Sequence, residues 1–270
     1  MTENVQANYS RGGLQQAVLD ALVADGFDPD DLDPDALTPA EEFHTFGRVA
    51  TIALAEAAAI TATDRVIDVG SGLGGPARHL ARAHGCHVLG VDLTQELCDV
   101  ATDLTRRVGL SDQVEIRQGD ALALPVPDAS FDVVWTQHVS MNIADKARLF
   151  QEMRRVVRPG GRLAFFDLLS GPNQPIHFPV PWAEDPSASA LATADETRDL
   201  VTGAGFEIRL WEDLTAEAVG FYASLAAGPS PDRHLGLHLL ITDMPTKGAN
   251  LKRNVEEDRL ALVRCVAVAI

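Results

Sequence analysis

Lysine is almost missing from this 270-residue chain, with Lys146, Lys247 and Lys252 its only three. Lysine and arginine together number 22 against 39 acids, a formal charge of -17. A chain so composed lacks the basic face on which nucleic-acid phosphates are neutralised, and a nucleic-acid partner is excluded. Cysteine is as scarce. Cys86, Cys98 and Cys265 are odd in number, far apart and without a CxxC pair, which argues against a disulfide framework or a zinc site and leaves reduced thiols. No apolar run approaches the roughly 20 residues of a membrane span. Residues 1–10 lack a basic stretch followed by an apolar one, so a cytoplasmic protein is expected. The acidic composition fits a high-salt cytoplasm or a GC-rich genome, and composition does not separate the two. Length and a hydrophobic content of 46% suit one α/β domain with additions, or two small domains.

What is present is centred on residues 66–75, where a β-branched run reaches Asp68 and then Gly70, Ser71, Gly72, Gly74 and Gly75. Glycines let the chain turn tightly and approach a ligand closely, and Pro76 opens a helix at a first-turn position that loses no hydrogen bond. A pyrophosphate loop spaces its glycines G-x-G-x-x-G. This spacing differs, and a carboxylate at Asp68 repels a pyrophosphate. It suits a cofactor with a cationic head instead, and S-adenosylmethionine carries an ammonium and a sulfonium.

Along the chain, Leu14, Val18 and Leu22 mark an amphipathic helix ending at Gly26, and 28–38 is expected to be a loop too polar and proline-broken for core. The stretch from Glu42 to Arg48, with Phe43, His44 and Phe46, reads equally as a ligand-facing loop or as packing under the N-terminal helix. It leads into an alanine-rich helix. Strands are expected at 87–91, 114–118, 131–136, 162–167 and 206–214, alternating with helices, one of them N-capped by Thr94 and another opened by a Thr193/Glu196 capping box. This alternation implies a mostly parallel sheet covered on both faces. The proline-rich stretch 170–193, holding His177 and Trp182, is expected to be functional. Residues 215–258 read as mainly helical and 260–270 as a last β run. His234 and His238 stand at i, i+4 and read as one helix face, so no metal is expected.

Ligands of an open parallel sheet bind outside the carboxyl ends of the strands. Asp68 ends the first strand. Asp92 ends the second, placed for ribose hydroxyls, and Asp120 ends the third, placed for an adenine amine between Leu93 and Ala121. Gln137 and His138 end the fourth and should flank the methionine part. Residues 66–75, 90–93, 119–121, 131–134 and 158–161 together resemble the ordered motifs of class I S-adenosylmethionine-dependent methyltransferases. More narrowly, 43–51, 135–146 and 250–259 are similar to the sarcosine and dimethylglycine N-methyltransferase-like small-molecule group.

The resemblance implies a Rossmann-like, doubly wound α/β fold with a mostly parallel seven-stranded sheet whose last strand is antiparallel. Residues 57–214 would be the cofactor-binding core and 259–270 its final strand. Residues 1–56 would be a helical N-terminal cap and 215–258 a helical substrate cap. It implies methyl transfer to a small molecule, an amine of an amino-acid-like acceptor such as sarcosine or dimethylglycine. A C- or O-methyltransferase of a natural product or isoprenoid is the alternative, and a non-catalytic S-adenosylmethionine-binding protein the alternative of another class. The expected cofactor residues are Asp68, Gly70, Ser71, Gly72, Gly75, Asp92, Leu93, Asp120, Ala121 and Gln137. His138 is the expected base, since histidine titrates near neutral pH. Tyr9, His44, Arg48, Asn142, His177, Trp182 and Arg253 are expected around the acceptor, with the two arginines as a carboxylate fork. A homodimer is the expected assembly, without membrane or nucleic acid.

Overall fold

The computed structural model describes residues 12–224 and 233–270. Its strands are β1 (Arg65–Val69), β2 (His87–Asp92), β3 (Val114–Gln118), β4 (Phe131–Gln137), β5 (Val157–Ser170), β6 (Phe206–Asp213) and β7 (Leu260–Ala269). They form one sheet in the order β3-β2-β1-β4-β5-β7-β6, in which β7 alone runs opposite to the other six. The fold is the Rossmann-like one expected. β4 is buried at every position, as a parallel strand covered on both faces must be. Strand order reverses between β1 and β4, where Val66 pairs with Val133 and Asp68 with Trp135. A crevice therefore opens at the carboxyl ends of these two strands.

The described helices are α1 (Leu14–Ala24), α2 (Thr38–Glu41), α3 (Arg48–Ala57), α4 (Gly75–His84), α5 (Gln95–Arg107), α6 (Lys146–Val156), α7 (Ala194–Gly203), α8 (Thr215–Ser224) and α9 (Met244–Glu256). Successive strand residues face opposite sides. Val66, Val133 and Trp135 meet Leu54 of α3, Leu80 of α4, Tyr222 of α8 and Val255 of α9 on one side. Ile67, Val69 and Val134 meet Leu149 and Met153 of α6 and Val201 of α7 on the other. A third cluster lies outside the sheet, where Leu14, Val18 and Leu22 of α1 pack on Leu97, Val100 and Leu104 of α5.

Two local expectations, for 28–38 and for Thr94, are corrected, and two further segments are placed by their packing. Residues 28–38 are not excluded from the core, because Leu32 and Leu37 insert into the α1–α5 cluster beside Leu235 and Leu240. The prolines there only shorten the helical pieces, with Pro34–Leu37 a single 3-10 turn. Thr94 sits at the N-cap of α5 without a capping bond from its side chain, whereas the Thr193/Glu196 box of α7 is complete. The proline-rich stretch also turns inward: Ile176, Val180, Trp182 and Ala183 are buried with α8 and α9. The stretch 215–258 packs largely beside β7, with Ala218, Tyr222 and Val255 against Leu260 and Leu262. No helix among the described residues is long and apolar enough to cross a membrane.

Candidate active site

The loop after β1 is shaped by what its glycines lack. At Gly70 (φ 78°) a Cβ would stand 2.3 Å from Val139, on the loop after β4. The amides of Gly70 and Ser71 both reach the carbonyl of Val91, which ties the turn to the end of β2. Asp92 completes the tie, its Oδ2 accepting from the Gly72 amide at 2.9 Å and its Oδ1 from the Thr94 amide at 2.9 Å. The loop is thus held rigid over a cavity of about 320 Å³ at the switch point.

Asp68, Asp92 and Asp120 stand on that cavity's wall with Gly70, Ser71 and Gly72. Leu93, Ala121 and Leu122 supply an apolar slot beside them. Asp68 is 2% exposed and its Oδ2 has no hydrogen-bond partner. Burial, then the charges of Asp92 and Glu42, push its carboxyl up to about 8. Burial also raises Asp92, against the two amides that it accepts. Two carboxyl groups held together with one side unpaired call for a cation.

The other end of the cavity is built by the loop after β4 and the approach to α3. Gln137 Oε1 accepts from Trp135 Nε1 at 3.0 Å and lies 3.2 Å from the Thr51 hydroxyl. That fixes the amide and leaves Nε2 buried without a partner. His138 takes φ 51°, a left-handed conformation that costs a non-glycine residue roughly 1 to 3 kcal/mol. Its amide donates to the Phe166 carbonyl at 2.9 Å, which holds the turn. His138 Nε2 and Asn142 Oδ1 are also buried and unpartnered. Burial, with the His44 ring beside it, lowers His138 well below the usual histidine range. His44 shares this wall, its ring centroid 6.1 Å from that of His138. Orphaned polar atoms on Asp68, Ser71, Gln137, His138 and Asn142 all belong to one cavity, and buried polar groups rarely go unpaired without a ligand to meet them.

The remaining expected site residues are not brought to this wall. Arg48 is drawn to the neighbouring carboxylates instead, its Nε on Glu42 and its Nη2 2.7 Å from Glu41. Arg253 pairs with Glu257 at 2.7 Å on its own helix, and His177 Nε2 meets the same carboxylate at 2.8 Å. Trp182 is 3% exposed and donates to Ser189 Oγ. Gly75 serves packing, since a Cβ there would lie 2.7 Å from the Glu41 side chain. Tyr9 lies outside the described residues. His234 precedes the 3-10 turn Leu237–Leu239 and bonds Asp25, so it shares no helix face with His238. Among residues that the sequence reading left without a role, Glu41 and Phe43 face the cavity and Glu42 lies directly behind His44. The density of polar and aromatic types between Glu42 and Arg48 was the available signal. Phe46, by contrast, stacks on Phe166 at 6.0 Å.

Residues 67–165, spanning β1 to β5 and the cavity's strand ends, match the family model of the methyltransferase domain. These residues are similar to a methyltransferase domain. A glycine/sarcosine/dimethylglycine N-methyltransferase of Actinopolyspora halophila is 30% identical over 178 residues, 66% of this chain. The chain spans about a third of that relative's length, 32%. Among solved structures, geranyl diphosphate C-methyltransferase of Streptomyces coelicolor A3(2) aligns over 100% of this chain and 97% of its own, with a TM-score of 0.73 and 18% identity. The cyclase SpnF aligns over 95% of each chain, with a TM-score of 0.67 and 22% identity. At such identities the likeness is one of fold. The matched residues thus supply the strand-end half of the cavity, while His44, Glu41 and Phe43 come from the segment before them.

Proposed function

We propose that this protein is an S-adenosylmethionine-dependent methyltransferase acting on a small molecule. The unpartnered, buried carboxyl of Asp68 carries this reading, because it faces a cavity whose wall has acids and, among the described residues, neither lysine nor arginine. Asp68 would hold the cofactor's ammonium, Asp92 its ribose hydroxyls and Asp120 its adenine amine, with the ring between Leu93 and Ala121. Gln137 and His138 would flank the methionine part. Bound there, the cofactor supplies an electrophilic methyl group on sulfur. The protein's share is to orient the acceptor and exclude water.

The acceptor reading shifts with the arginines. The amino-acid acceptor expected from the sequence relied on Arg48 and Arg253; Arg48 is held by Glu41 and Glu42 and Arg253 by Glu257, and neither arginine stands on the wall. Phe43, Val139, Ile143 and Ala144 give that end apolar surface. This favours an acceptor that is neutral or cationic and partly apolar over a carboxylate or a diphosphate. Isothermal calorimetry should show S-adenosylhomocysteine binding in the micromolar range and no NAD binding; the reverse would overturn the cofactor assignment. Mass spectrometry with labelled cofactor should then find a one-methyl gain on N,N-dimethylethanolamine or on a hydroxylated macrolactone. A gain on dimethylglycine or geranyl diphosphate alone would return the acceptor to the anionic class.

A further inference from the structure

Five residues of the cavity wall carry a buried polar atom without a partner, and two of those atoms face the ligand space with a fixed character. His138 Nε2 donates or accepts according to its tautomer, and the amide of Asn142 can be turned about. The Ser71 hydroxyl lies over Gly90 of β2, where a Cβ would stand 2.8 Å from it, and so is turned toward the sheet. Asp68 and Gln137 are left. Asp68 accepts when ionised. Gln137 Nε2 can only donate, because the indole N–H of Trp135 needs an oxygen and finds Oε1 at 3.0 Å, which reserves the two N–H bonds of Nε2 for another group. Trp135 is wholly buried, so the amide is held in that orientation.

Sheet register sets the two side chains near each other. Asp68 of β1 pairs in parallel with Trp135 of β4, and Gln137 stands two residues further along β4. Residues two apart in a strand point to one face, so all three share the side of the sheet that α3 and α4 cover, with the Cα atoms of Asp68 and Gln137 about 8 Å apart. An unpartnered acid and an unpartnered donor at that spacing match the ammonium and the carboxylate that an α-amino acid carries on a single carbon.

We propose that Asp68 and Gln137 form a clamp for the cofactor's α-amino-acid group, in which Gln137 Nε2 donates to the carboxylate while Asp68 takes the ammonium. The inference deepens the cofactor reading above and rests on it. Other groups that could hold a carboxylate are committed elsewhere. The amides of Gly70 and Ser71 donate to the Val91 carbonyl and that of Gly72 to Asp92. Arg48 is held by Glu41 and Glu42, and Arg78 by Glu41. A neutral donor also suits the place. An arginine within reach of Asp68 would pair with that acid and displace the ammonium, whereas an amide binds the carboxylate and leaves Asp68 its charge. The same donor would suit a carbonyl or hydroxyl oxygen of the acceptor, and the experiment separates the two.

Calorimetry on the full chain uses three probes: S-adenosylhomocysteine, its decarboxylated form, which keeps the ammonium, and 5′-methylthioadenosine, which has neither group. In the unaltered protein, loss of the carboxylate should weaken binding ~10-fold or more, as for a hydrogen bond to a charged group. Gln137→Met, of similar length but without the donor, should close that gap by weakening S-adenosylhomocysteine alone. Gln137→Glu keeps an oxygen for Trp135 and turns the donor into a second acid. It should weaken S-adenosylhomocysteine ~30-fold or more and leave the decarboxylated form bound as well or better. Equal binding of 5′-methylthioadenosine by all three proteins serves as the folding control. Should a variant fail that control, the side-chain amide NMR signal of Gln137 in the unaltered protein decides, moving with S-adenosylhomocysteine and not with its decarboxylated form. A gap that survives Gln137→Met, equal weakening of all three probes, or an amide signal that answers alike to both forms or only to an acceptor overturns the clamp. Failure of the unaltered protein to bind any of the three probes would count against the proposed function instead.

Discussion

Asp68 is where a single residue has a measurable consequence. Its carboxyl is pushed up to about 8 in the folded protein, by burial first and by Asp92 and Glu42 next, while an unfolded chain releases the same proton near about 4. Between those values the folded state holds more protons than the unfolded one, so this group makes the ligand-free protein less stable as pH rises through the window. A cation docked on the carboxylate reverses the preference and expels the proton. Calorimetry near pH ~6.5 in buffers of different ionisation enthalpy should therefore report about one proton released per S-adenosylhomocysteine bound, and Asp68→Asn should abolish the release. Equal heats in all buffers would show that the carboxyl is not engaged. The residues at strand ends were legible in the sequence because each is tied to a local signal, such as a β-branched run followed by an acid and a turn. Arg48, His177, Trp182 and Arg253 were not, since what claims them is a choice of partner. Glu42 holds Arg48, Glu257 holds Arg253 and His177, and Ser189 Oγ accepts from Trp182.

Elements show the same division between near and far. The cap of α7 is written within four residues, Thr193 to Glu196, and is present in the fold as read. That of α1 is not written nearby. The helix begins without an acid in its first turn, and the amides of Gly12 and Leu14 are taken at 3.0 Å by the two oxygens of Glu96, at the start of α5. One carboxylate thus satisfies two donors that would otherwise end unpaired and also docks the helix on its neighbour. Glu96→Ala should cost about 1 kcal/mol, lower Tm by roughly 2 to 4 °C and raise amide exchange in the first turn of α1. Unchanged exchange there would mean that packing of Leu14 and Val18 on α5 suffices alone. The inward packing of the proline-rich stretch 170–193 has a related reason. Its apolar residues Ile176, Val180 and Trp182 gain more from the space between α8, α9 and the sheet than from solvent near the cavity.

For the whole molecule, the excess of acids is a long-range effect that no pair of residues contains. A charge of -17 repels itself, and added salt shortens the reach of that repulsion from about 14 Å at 0.05 M to about 3 Å at 1 M. Thermal unfolding in KCl across that range should show Tm rising, and a steady fall would indicate that the surface ion pairs outweigh the self-repulsion. The buried charges answer differently. Glu41 sits under Gly75 where no Cβ could pass and neutralises Arg78, which also donates to Thr105 on α5. Lifting the 38–51 segment would strand Arg78 without its anion, and breaking such a buried pair costs about 3 to 5 kcal/mol. That makes the lifted form rarer than about one molecule in a hundred. The segment that lines the cavity with Glu41, Phe43 and His44 is accordingly a standing wall, in place in all but a small fraction of molecules, so each ligand meets a pocket whose outline on that side is already set.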